Sequence, residues 1–94
     1  MSERTAPALA AIDALLERLT ALGASTERER LLEEAAALRR AVAAFHMEAI
    51  RFRMHSVDRL LHATGDQVDA RASFDALRHE LETAGFHTRS HAAP

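Results

Sequence analysis

Two glycines, Gly23 and Gly65, divide the apolar pattern of this chain into three segments, each with helical periodicity. In the first, Leu9, Ile12, Leu16 and Leu19 recur at steps of three and four, and Leu15 and Leu22 widen the stripe, while Asp13, Glu17 and Arg18 fall outside it. The pattern predicts a helix from about residue 7 to 22, with Thr5 as N-cap, Pro7 in the first turn and Gly23 closing the end in a left-handed conformation. The last segment predicts a helix beginning at Asp66 or at Ser73 and running to Ala84, with Phe74, Leu77 and Leu81 on one face. Gly85 followed by Phe86 fits a left-handed helix end onto which the next apolar residue folds back. Residues 87–94 are small and polar, bury little, and are expected to form a flexible tail.

The middle segment is the informative one. Thr26 and Glu29 have capping-box spacing, and no glycine or proline interrupts the chain from there to Gly65. Residues 27–64 therefore read as one helix of roughly 55 Å. A compact chain of this length has a radius of gyration of only about 12 Å. Such a rod protrudes unless the flanking helices lie along it, another chain covers it, or it kinks.

On a helical wheel, Leu31, Ala35, Leu38, Val42, Phe45, Ala49 and Phe52 share one stripe. From Met47 a second stripe starts, with Met47, Ile50, Met54, Val57 and Leu61 in alternating steps of three and four, as in a coiled-coil seam. The second half of the rod is thus apolar on two sides, and exposed apolar surface of this kind marks association sites. The expectation is an all-α fold: three helices (about 7–22, 27–64 and 66 or 73–84) around a long central helix, in a bundle completed by oligomerisation. Val42, Phe45, Met47, Ile50, Phe52, Met54, Val57 and Leu61 are the candidate interface. A symmetric homodimer is the first expectation, with a helical protein partner as the variant. The competing arrangement is a monomer whose first and third helices fold back on that half.

Ninety-four residues make one domain with one modest core. The net charge of -2 lacks the basic excess of general nucleic-acid binders, although all twelve basic residues are arginine. Absence of cysteine excludes thiolate metal sites and thiol nucleophiles. Ser2, Glu3 and Arg4 follow Met1 in place of a signal-peptide apolar run, and no stretch approaches the ~20 apolar residues of a membrane span. Cytoplasmic residence and no membrane partner are the expectations. Six histidines are the one compositional excess.

Several polar residues occupy informative positions. His46 and Arg53 fall inside the apolar arc between the two stripes. A charge there needs a partner, either a carboxylate (Asp13, Glu17 or one from a second chain) or a bound anion. On the opposite face, Glu48, His55, Asp58 and His62 form the candidate set for a divalent transition metal, because residues three and four apart are neighbours on a helix. His55 and His62 are about 10 Å apart along the axis and cannot share one ion, so a full shell needs Glu34 or a second chain. The bland reading of that face is a solvated surface of ion pairs.

His79-Glu80-Leu81-Glu82-Thr83 resembles the zinc metalloprotease motif, but Thr83 stands where the second histidine ligand belongs. It also resembles the His-Glu-x-x-Thr core of the phospho-accepting helix of sensor histidine kinases. That resemblance spans five residues, lacks the family's proline and runs into Gly85, and it supplies no function. His87 and His91 have i, i+4 spacing in the expected tail, where weak adventitious metal binding needs no biological purpose. No nucleophile elbow, phosphate loop or dinucleotide fingerprint occurs. The expected function is a non-enzymatic interaction or assembly protein without a cofactor. The alternatives are a metal-binding helical bundle for storage or redox work, and a small regulator that holds an anion or partner peptide through His46 and Arg53.

Overall fold

In the computed structural model, which describes residues 4–86, the chain forms four helices: α1 (Ala6–Thr20), α2 (Thr26–Ala43), α3 (Met47–Ala63) and α4 (Val68–Thr83). The all-α class is as expected, and the single helix over 27–64 is corrected to two helices that reverse direction at residues 44–46. The expected tail at 87–94, with His87 and His91, lies outside the described residues. In space, α4 packs on α1, α1 on α2 and α2 on α3, while α3 and α4 touch sparingly. The result is a slab of 34 × 32 × 19 Å with a radius of gyration of 12.4 Å, not a protruding rod.

The first helix follows its stripe: Leu9, Ile12, Leu15 and Leu19 are buried, and Leu16 and Leu22 pack against the core. Its C-terminus departs from expectation, because Gly23 is not in the left-handed region. Another group does the capping. The Arg28 guanidinium reaches back from α2 to the carbonyls of Thr20 and Leu22 at 3.4 and 3.2 Å. Carbonyls at a helix end need some donor, and an arginine also suits the negative end of the dipole. The start of α2 is shifted by one residue from the expected capping box. Ser25, with an extended backbone, is the N-cap, and its hydroxyl accepts the Arg28 amide at 2.9 Å.

The break between α2 and α3 occurs without glycine or proline. Phe45 adopts a φ of +61°. Its amide donates to Val42 O and the His46 amide to Ala41 O, both at 3.1 Å, which closes α2 with a Schellman motif. His46 simultaneously starts α3: its Nδ1 accepts the Ala49 amide at 3.1 Å, and its carbonyl accepts the Ile50 amide at 2.9 Å. A left-handed conformation costs a non-glycine residue about 1–2 kcal/mol. Against this, the reversal buries Ile50, Met54, Val57 and Leu61 within the chain. Each such side chain contributes roughly 1.5–3 kcal/mol, so burial outweighs the strain several-fold.

The other two helix ends use glycine as their local sequence suggests. Gly65 follows α3 with its amide on His62 O, and the Asp66 amide reaches Leu61 O at 2.9 Å. The next helix starts at Val68, between the two expected starts. At the far end of α4 the Phe86 amide donates to Leu81 O at 2.9 Å, and the Phe86 ring folds back into the core as expected. There it meets Phe45, with ring centroids 5.5 Å apart. Arg4 closes this corner, since its Nε donates to Ala84 O at 2.7 Å and its guanidinium lies where a side chain on residue 85 would begin.

Gly85 and Gly23 should therefore respond differently to alanine. Gly85, at φ +100°, should lose about 1–2 kcal/mol in urea unfolding as Gly85→Ala. Gly23→Ala, with open space at the new Cβ, should stay within about 0.5 kcal/mol of the parent. Equal losses at the two sites would contradict the assigned conformations.

Candidate functional site

The reversal at Phe45 redistributes the eight candidate interface residues. Val42, Ile50, Met54, Val57 and Leu61 are buried inside the chain, and Met47 is half-buried against the same core. The apolar excess expected for a straight rod is therefore largely consumed by α1, α2 and α4. What remains outside is aromatic: Phe52 is 60 % exposed and Phe45 is 45 % exposed. Phe52 lies on α3, which packs chiefly on α2 and forms one edge of the slab. Val68, 80 % exposed, is the remaining large apolar side chain on the surface among the described residues.

Within the chain, Arg53 has its partner in neither Asp13 nor Glu17. It donates from Nη1 to both carboxylate oxygens of Glu34 on α2, at 2.9 and 3.1 Å. The reason is the reversal, which folds α3 back along α2 and so brings Arg53 on α3 beside Glu34 on α2. The guanidinium also lies 5.2 Å from the Phe52 ring centroid, within cation–π range. Asp13 pairs instead with Arg39, at 2.7 Å, across the α1–α2 junction. That hydrogen bond holds the Asp13 carboxyl below the usual carboxylate range. His46 is exposed, and its ring is engaged as a helix cap. The anion-binding pair of the sequence reading is thus split into a bridged arginine and a capping histidine.

The candidate metal ligands are likewise dispersed. Glu48 stands in the first turn of α3 and His55 is exposed on its surface. Asp58 accepts from Arg71 at 2.6 Å, and the His62 Nδ1 lies 3.0 Å from Asp66. From Glu48 to His62 the helix rises roughly 21 Å, which no single ion can span. Among the described residues, no three His, Cys, Asp or Glu side chains gather so as to hold a metal ion. Nor is any helix among them long and apolar enough to cross a membrane. His79 is exposed on α4, which ends at Thr83.

A group absent from the sequence reading is Arg71. From the first turn of α4 it donates to Asp58 on α3 and, through Nε and Nη2 at 2.9 and 2.6 Å, to Asp66 in the joining turn. Its guanidinium also lies 5.4 Å from the Phe74 ring centroid. It clamps two helices that otherwise share little surface. The spacing of Asp58, Asp66 and Arg71 carries no sequence signal, because the turn between them sets their approach. The local electrostatics follow. Hydrogen bonds from Arg71 and then from His62 hold the Asp66 carboxyl below its ordinary range.

Comparison of the chain with models of known protein families, with curated proteins and with solved structures finds no match to any of them.

The Arg71 clamp has a pH signature. A carboxyl whose folded-state pKa is depressed contributes stability that is fully present above its unfolded pKa of about 3.9 and is lost as pH falls through the folded value. Arg71→Met should therefore melt below the parent near neutral pH, and the gap should narrow as pH falls below about 4. A gap that stays constant down to about pH 2 would mean that Arg71 acts by packing on Phe74 and not through charge.

Proposed function

We propose that this chain is a non-enzymatic helical assembly module whose working surface is the exposed edge of α3, centred on Phe52 with Phe45 at its N-terminal end. The carrying observation is that a large aromatic ring stays 60 % exposed on a helix whose other large apolar side chains are buried or half-buried. Aromatic side chains, phenylalanine among them, and arginine are enriched at protein interfaces relative to the rest of the surface. Arg53, held by Glu34 and lying 5.2 Å from the Phe52 ring, supplies a pre-ordered polar rim beside it.

A second copy of the chain is the partner this surface fits best. Two α3 edges related by a two-fold axis place Phe52 against its own counterpart, and the arginine–glutamate pairs then border the contact on both sides. The surface is small, so the association is weak, on the order of micromolar to millimolar.

Light scattering across a concentration series should show the mass rise above that of the monomer. Phe52→Glu removes a ring worth roughly 1.5–3 kcal/mol from each copy and should weaken the dimer on the order of 100-fold or more, with the melting temperature little changed. Wild-type chains that stay monomeric at the highest concentration, or a dimer of chains never unfolded and refolded that is indifferent to Phe52→Glu, would overturn the proposal.

A further inference from the structure

Among the described residues, two non-glycine residues are in the left-handed region: Asp66, directly after Gly65, and Phe45, at the one helix–helix junction without glycine. Gly23 lies in the α1–α2 connection and Gly65 in the α3–α4 turn, whereas residues 44–46 are Ala, Phe and His. Each of these three is compatible with a continuous helix. No glycine or proline occurs between Gly23 and Gly65. The local sequence thus favours a straight helix, and tertiary burial alone imposes the reversal.

We propose that the Ala44–His46 junction is a hinge that straightens, joining α2 and α3 into one rod and pairing the chain with a second copy by exchange of the α3–α4 unit. Straightened, Thr26 to Ala63 makes a helix of roughly 57 Å. In one isolated chain this exposes Ile50, Met54, Val57 and Leu61, together with the faces of α1 and α2 that cover them. A second straightened copy restores every such contact, because its α3 and α4 occupy the places that the first chain's have left. The contacts between the two halves are the same in both forms. The forms differ at the hinge, where exchange removes two left-handed phenylalanines per dimer, and in the translational freedom lost on pairing. Short hinges under strain favour exchange of this kind.

The Arg71 clamp makes the exchanged unit well defined. Asp58, Asp66 and Arg71 all lie on the C-terminal side of the hinge, so α3 and α4 move as a joined pair. The Arg4–Ala84 hydrogen bond and the Glu34–Arg53 bridge become contacts between chains. The exchange shares with α3-edge docking only the identity of the partner, and it does not require Phe52.

The test uses the natural lack of cysteine. Glu33 and Arg59 line the same groove between α2 and α3. Nitroxide labels on a Glu33→Cys/Arg59→Cys chain, co-refolded at high concentration with excess unlabelled chain, report distances within one chain only. In the closed fold this distance is set by the 8–10 Å spacing of packed helices plus the label arms. In the exchanged dimer it is about 39 Å, from 26 residues of continuous helix.

The expected result is a dimer fraction with the long distance, unaffected by Phe52→Glu. Phe45→Ala and Phe45→Gly both lose the ring, so their difference reads the backbone. Glycine favours the left-handed closed hinge and disfavours the helix, and two hinges act per dimer. The association constant should be on the order of 30-fold or more lower for Phe45→Gly than for Phe45→Ala. A dimer with only the short intrachain distance overturns the exchange and leaves α3-edge docking standing. Equal dimerisation of the two variants, or no dimer from Phe45→Ala, also overturns it.

Discussion

The left-handed turn at Phe45 is the constraint from which the remaining contacts follow. It folds α3 back along α2, and this turns one apolar stripe inward to join the core that the four helices share. A helix-favouring sequence is bent there because bending buries four large side chains, and the free energy of that burial exceeds the conformational strain of one residue. The Schellman hydrogen bonds, the His46 cap and the contact of Phe45 with Phe86 then satisfy groups that the bend would otherwise leave open.

The same turn sorts the polar residues. Arg53 faces Glu34 because α3 folds back along α2, and Arg39 finds Asp13 because α1 and α2 are antiparallel neighbours. Arg71 gathers Asp58 and Asp66 at the next turn. Each arginine links two elements, so the charged surface works as a set of ties between helices. The carboxylates and histidines that single-helix spacing offered to a metal are engaged in ion pairs or stand apart along the helix. The Phe52 ring on the edge of α3 stays 60 % exposed beside one of these ties, the Arg53–Glu34 pair.

Much of the local structure was legible beforehand. Helical periodicity placed α1 and the body of α4 to within a few residues, and Gly85 followed by Phe86 announced the fold-back that the hydrogen bonds of Leu81 complete. Other local readings failed where a distant group did the work. Gly23 was expected to end α1, but the carbonyls of Thr20 and Leu22 are met by Arg28 from the following helix. Thr26 was expected to cap α2, but Ser25 adopts the extended conformation one residue earlier. Exposed apolar surface on the second half of the middle segment was anticipated, yet only Phe45 and Phe52 of the eight candidates remain largely outside.

By itself the sequence determined the class of the fold, the helical character of nearly every segment and the two-sided apolar pattern after Phe45, because these depend on residue type and spacing within a few turns. Only the tertiary structure decided that the middle segment reverses, which stripe is spent on the core and which carboxylate each arginine meets. The physical reason is that continuing or breaking a helix at Ala44–His46 differs locally by the strain of one residue, with the local preference on the side of the straight rod. Burial summed over contacts far apart in the chain is several times larger, and it determines the direction of the second half.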